Sequence, residues 1–244
     1  MLINIQEIRT EEVQTRTDDF EKKGGELRFR LFRISKNYEG VMPTEKYECH
    51  LIVARQTMER INFDANYHWN RCASKGNRKS LPIYQTSFDE LDNSGLNIDL
   101  DEFLGPFYDL EREKPFVRGR ESNETINSYF YFDAEELEVN KFDMNKRIQE
   151  FNLKYPNQNG NFIYAFMEPP YSIQTGKTIK EKGEYLIDFM NFIFSDLTKI
   201  EIMKWSTDCS PYFNAGKEWW GTFFWTVYNP KKDWYIGICG SSTD

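Results

Sequence analysis

Histidine and cysteine are scarce in this chain. His50 and His68 are the two histidines, which disfavours histidine-based acid–base chemistry and histidine-rich metal sites. Cys49, Cys72, Cys209 and Cys239 are scattered and form no CxxC pair, the pattern of reduced, buried or half-buried thiols rather than of a disulfide framework. Cys49-His50 and His68-Cys72 together lack the spacing of a zinc finger, so two separate structural pairs are expected. Long hydrophobic runs are also missing. The most apolar stretch, YLIDFMNFIF, is interrupted by Asp188 and Asn191, whereas crossing a bilayer takes about 20 apolar residues, so no membrane helix is expected. The opening MLINIQEIRTEEV has no basic leader followed by an apolar run; no secretory signal is expected, and a cytoplasmic location is the default. No G-x-S-x-G elbow, internal repeat or low-complexity linker is found.

Aromatic residues, by contrast, are abundant. At 16% of 244 residues they supply enough apolar area for a sizeable core, which argues against disorder. The length suits a single domain over 1–244, with a less regular part over 1–125 and a more regular part over 126–244. Four of the six tryptophans crowd into GKEWWGTFFWTVYNPKKDWYIGICGSSTD. Phe223, Trp225 and Val227 alternate there with Phe224, Thr226 and Tyr228. NPKKD makes the turn, and Trp234, Ile236 and Ile238 return. Both faces of the first arm are apolar, so the hairpin is expected at the centre of a sheet covered on both sides.

Elsewhere KKGGE signals a turn. ELRFRLFRIS reads as a strand with a bulge, because its apolar residues shift face at Phe32. KYECHLIVARQ, RKSLPIYQTS (an edge strand, given Pro82), TINSYFYFD, NFIYAFM and KIEIMKW read as further strands. FDMNKRIQEFNLKYPN predicts a helix with Asp143 as N-cap, a face of Met144, Ile148, Phe151 and Tyr155, and a stop at Pro156. A second helix is expected over 179–197. The sum is an α+β fold, with a largely antiparallel sheet and two packed helices.

Charge is uneven. Residues 86–113 hold nine acids against one base, Arg112, while the remaining chain balances at thirty of each. Such a segment repels phosphate backbones, which disfavours nucleic acid as its partner. It suits a basic protein surface, or it is simply a solvated loop. The neighbouring NRCASKGNRK, with Arg71, Lys75, Arg78 and Lys79, is placed to neutralise part of it.

Several motifs come close to known chemistry. Gly176-Lys177-Thr178 precedes a helix, but Tyr171 stands where a phosphate-binding loop needs its first glycine, so a helix cap is expected. In DELDNSGLNIDLDEF, a calcium loop would use Glu90, Asp92, Ser94 and Glu102; its two halves disagree by one residue, so no metal is expected. YAFMEPPYSI resembles the (Asp/Asn)-Pro-Pro-(Tyr/Phe) signature of amino-methyltransferases, and DEFLGPF faintly resembles their glycine-rich cofactor loop. Glu168 replaces the Asp/Asn and Phe107 the second glycine, so a strand ended by two prolines is expected and no cofactor. Glu218 directly precedes Trp219 and Trp220, and Asp208 lies upstream across a loop; two carboxylates beside tryptophans would suit a carbohydrate-active hydrolase.

The run from Trp205 to Asp244, with WSTD, EWWG, FFWT and a terminal SSTD, resembles the end of a family of uncharacterised bacterial cytosolic proteins. The resemblance implies a bacterial α+β protein and carries over no catalytic residues. By analogy, small acidic proteins of this type serve as immunity proteins to secreted toxins. The expected function is thus a non-enzymatic protein-binding module, an immunity protein meeting a basic toxin. Asp89, Glu90, Asp92, Asp99, Asp101, Glu102 and Asp109 would form the acidic surface, with Trp219 and Trp220 as anchors. The alternative is the hydrolase using Asp208 and Glu218.

Overall fold

The computed structural model describes residues 4–35, 46–73, 83–119, 128–137, 141–156 and 160–242. The chain opens with β1 (Asn4–Glu7), α1 (Glu11–Lys22), β2 (Leu27–Ser35) and α2 (Lys46–Ala73). Thr10 caps α1 by accepting the Val13 N–H, and Gly24, at φ 94°, lets the chain leave the helix in the left-handed region. Next come α3 (Phe88–Asp92), β3 (Leu96–Asn97), α4 (Leu100–Leu104), β4 (Tyr108–Asp109), β5 (Lys114–Gly119), β6 (Ser128–Tyr131) and β7 (Lys141–Phe142). The remainder is α5 (Met144–Lys154), α6 (Phe162–Met167), α7 (Ile179–Phe194), β8 (Glu201–Lys204), β9 (Thr222–Asn229) and β10 (Trp234–Ser241), with short 3-10 turns between β8 and β9.

The fold is α+β with antiparallel sheets. A six-stranded sheet runs β1-β2-β10-β9-β8-β3, and a four-stranded one runs β4-β5-β6-β7. The β9–β10 hairpin is central, as its two-sided apolar pattern requires: Trp225 pairs with Ile238 and Thr226 with Gly237. α5 also forms as expected, with the Asp143 carboxylate accepting the Lys146 N–H at 3.1 Å.

Three local expectations fail. β2 has no bulge, since its pairing with β1 and β10 is unbroken. Leu27, Phe29 and Leu31 face one side in simple alternation, and Phe32 and Ile34 face the other. KYECHLIVARQ is not a strand; it lies in the 28-residue α2. Its buried Cys49, His50, Val53, Ala54, Thr57, Met58, Ile61 and Asn62 follow helical spacing, a stripe broken up in sequence by its polar members. NFIYAFM is the short helix α6, capped by Asn161 and buried almost all round, so no polar face marked its period. Of RKSLPIYQTS, 83–87 belong to no strand, and 78–82 lie outside the described residues. Residues 125–127 of TINSYFYFD also lie outside them.

The six-stranded sheet is covered on both faces. One face carries a large aromatic cluster in which Phe223, Trp225, Val227, Ile236 and Ile238 meet α1, α4, α6 and α7. Phe20, Phe166 and Phe189 pack there with ring centroids 4.4–5.4 Å apart. α2 lies on the opposite face, over two smaller patches. Between these patches the helix comes very close to the sheet. A Cβ on Gly237 would stand 1.9 Å from Thr57 Oγ1, so only glycine admits the helix here.

Candidate functional site

The acidic segment is largely engaged by distant partners. Asp92 is held by Arg55, whose Nε donates at 2.8 Å. Asp101 receives Lys154 Nζ at 2.6 Å. Asp99 caps α4 by accepting the Glu102 N–H at 2.7 Å and lies 3.0 Å from the Tyr155 hydroxyl. Asp109 is buried. Burial raises its carboxyl, but hydrogen bonds from the Tyr131 hydroxyl and the Arg112 backbone N–H, with the Arg112 guanidinium, outweigh it and hold Asp109 below the ordinary range. These four residues are therefore structural acids and not one open acidic patch. Asp89 and Glu90 on α3 are exposed and form no ion pair among the described residues. Glu102 lies half-buried in α4. The basic Lys75, Arg78 and Lys79 lie outside the described residues.

The calcium-loop residues do not make a cage. Asp92 is taken by Arg55, and Ser94 Oγ donates to Leu91 O at 2.8 Å and accepts the Ser206 N–H at 3.0 Å. No cluster of three or more His, Cys, Asp or Glu side chains suited to a metal ion occurs among the described residues. Both histidines ride on α2, with His68 eighteen positions beyond His50, which at 1.5 Å per residue separates them by about 27 Å. His68 meets Cys72 on the exposed side, while His50 is buried.

His50 belongs to a polar network at the closest approach of α2 to the sheet. Thr226 Oγ1 lies 2.8 Å from His50 Nδ1 and accepts Trp205 Nε1–H at 2.8 Å. Because the indole can only donate, the Thr226 proton remains available to His50. Burial, reinforced by the Lys46 charge and opposed by the bond to Thr226, lowers the imidazole to about 4.

The aromatic end of the chain separates into core and surface. Trp220 is buried; its Nε1 donates to Glu168 O at 2.9 Å and its ring meets Phe223 edge-on, so it is a core residue and not a surface anchor. Trp219 is 54% exposed. Asp208 is exposed and accepts Lys217 Nζ at 2.6 Å. It lines a cavity of about 260 Å³ with Lys204, Trp205 and Thr222, and Glu218 is not part of that lining.

A larger cleft, of about 690 Å³, opens between β5, the 167–173 segment and the start of α7. Glu168 from the EPPY motif stands in its wall, at the end of a helix rather than of a strand. Tyr129 Oη donates to Glu168 Oε1 at 3.2 Å, and Arg118 Nη2 lies 3.0 Å from Oε2. Arg118 Nε and Nη2 both donate to Tyr129 Oη, at 3.1 and 2.8 Å. Burial raises the Glu168 carboxyl; the charges of Arg118 and Lys182 and the Tyr129 hydrogen bond oppose it without cancelling it. Gly176-Lys177-Thr178 is the cap of α7. Thr178 and Glu181 form a capping box, and the Glu181 carboxylate accepts the N–H groups of Lys177 and Thr178, occupying the place a phosphate would take.

No family model matches the chain, and comparisons with curated proteins and with solved structures gave no match. The Arg118–Tyr129–Glu168 group escaped sequence reasoning because its members are far apart in the chain. The one signal present was a carboxylate set directly before two prolines.

Proposed function

We propose that the chain is a non-enzymatic protein-binding module that meets a basic protein, in the manner of a bacterial, cytoplasmic immunity protein masking a toxin. Support comes chiefly from one surface. The 83–92 segment runs beside α2, tied by Asn66 to the backbone of Tyr84 at 2.8 and 2.9 Å and by Asn62 to Thr86 at 2.9 Å. Phe63, Tyr67, Ile83 and Phe88 are thereby gathered on two adjoining elements while exposed by 59%, 58%, 72% and 39%. Phe63 and Tyr67 stack at 6.5 Å, flanked by Arg60 and Arg71 over the rings. Asp89 and Glu90 follow Phe88 on α3 and are exposed. Aromatic anchors beside charge are the composition of an interface hot spot, and the acids supply the complementarity for a basic partner.

Affinity capture from the native host at low and high salt tests this. A basic protein should be retained at low salt and released at high salt. Asp89→Lys with Glu90→Lys, and separately Phe63→Ser with Tyr67→Ser, should each lower its retention by about tenfold or more. Equal retention by wild type and both variants, or no partner at low salt, overturns the proposal.

A further inference from the structure

The cleft beside Glu168 differs in charge from the rest of the molecule. Four cations, Arg118, Lys177, Lys180 and Lys182, line it against two carboxylates, Glu135 and Glu168, in a chain of net charge −8. We propose that it binds a small organic oxyanion, a carboxylate or phosphate monoester on an apolar body, with Arg118 reading the anionic group and Glu168 and Tyr129 positioning Arg118.

The hydrogen bonds assign these roles. Glu168 accepts on one oxygen from Tyr129 and is paired through the other with Arg118, so it is engaged by the protein and does not receive the ligand. Tyr129 accepts from Arg118 and gives its one proton to Glu168, which fixes the plane of the guanidinium. These bonds engage the Nε and Nη2 side; among the described residues Nη1 has no such bond, and it is the side assigned to the ligand. A guanidinium held this way presents Nη1 as a fixed, charged donor to an oxygen of a carboxylate or phosphate. The Arg118 side chain is 45% exposed and that of Glu168 14%, so the pair is partly screened by solvent and is a weak stabilising device, whereas orienting a binding group gives it a purpose. The α7 N-terminus is already closed by Glu181, so the anion must be held by side chains. Val117, Ile173 and Ile179 form an apolar wall for the ligand body, and the volume lies within the range of small-molecule sites.

Calorimetric titration of the full chain with octyl phosphate, octanoate and octanol tests the proposal. At least one of the two anions should bind with Kd below about 1 mM, and octanol at least about tenfold more weakly; the better anion identifies the source. Arg118→Met should lower that affinity about tenfold or more, and Lys177→Gln, at an exposed position, about twofold to threefold. Glu168→Ala should match Arg118→Met. Glu168→Gln, which keeps an acceptor for the guanidinium, should restore most of the affinity, a rescue that a purely structural role would not give. The proposal is overturned if octanol binds as tightly as both anions, or if Arg118→Met and Lys177→Gln both bind like wild type.

Discussion

The two faces of the central sheet are covered by different means. On the side of α1, α4, α6 and α7 a single cluster of aromatic and aliphatic side chains excludes polar groups almost entirely. On the side of α2, two small apolar patches are separated by His50, Thr57 and Thr226, where the Thr57 side chain packs directly against Gly237. The first face draws its stability from buried area. The second draws it from directed hydrogen bonds and from the absence of one side chain, and so fixes where α2 lies as well as that it binds.

The sharpest way to break this contrast is to remove volume from the aromatic face. Trp225→Ala should cost about 4 kcal/mol, read by urea unfolding; a loss below about 1 kcal/mol would mean that area is not what holds this face. The polar seam should instead respond to pH. His50 titrates near 4 in the fold because it is buried and near 6.5 when unfolded, so the unfolded chain takes up the proton first as pH falls. Its contribution is present above about pH 6.5 and is lost as pH falls through about 4, an effect of about 3 kcal/mol. Unfolding measured from pH 7 to 4 should be correspondingly flatter in His50→Gln; an unchanged slope would refute the assignment. The smallest effect concerns room rather than bonding. Gly237→Ala should cost about 2 kcal/mol. Thr57→Ala in the same chain should make the pair less costly than the sum by about 1 kcal/mol, and strict additivity would show that the approach is not tight.

What could be read in advance follows the same division. The β9–β10 hairpin was legible because each residue on both arms points to a covered face, and strict alternation survives in such a strand. α2 was not: Leu51, Ile52 and Val53 make a strand-like run, and the inner stripe includes His50, Thr57 and Asn62, whose burial depends on Thr226, Val53 and Ser210. α6 lacks a polar side, so its six residues carry no period at all. Among the candidate site residues, each acid between 89 and 109 was visible, but its fate was not. Arg55 reaches Asp92 and Lys154 reaches Asp101 through the fold, and no local pattern announces such pairing. Glu168 was noticed for its prolines, but its partners were not, since Arg118 and Tyr129 are brought to it from β5 and β6.

Strand order also has a consequence for synthesis. β2 has β1 on one side and β10 on the other, with Leu31 set against Ile236. On the ribosome, the early strands and the inner side of α2 therefore emerge long before the hairpin that completes them. Nascent β2 carries an open edge for most of translation, the state in which unpaired strands invite wrong partners. Closing the sheet from its middle makes folding slow and dependent on distant contacts, so chaperone demand and folding yield should track how quickly the last two strands become available.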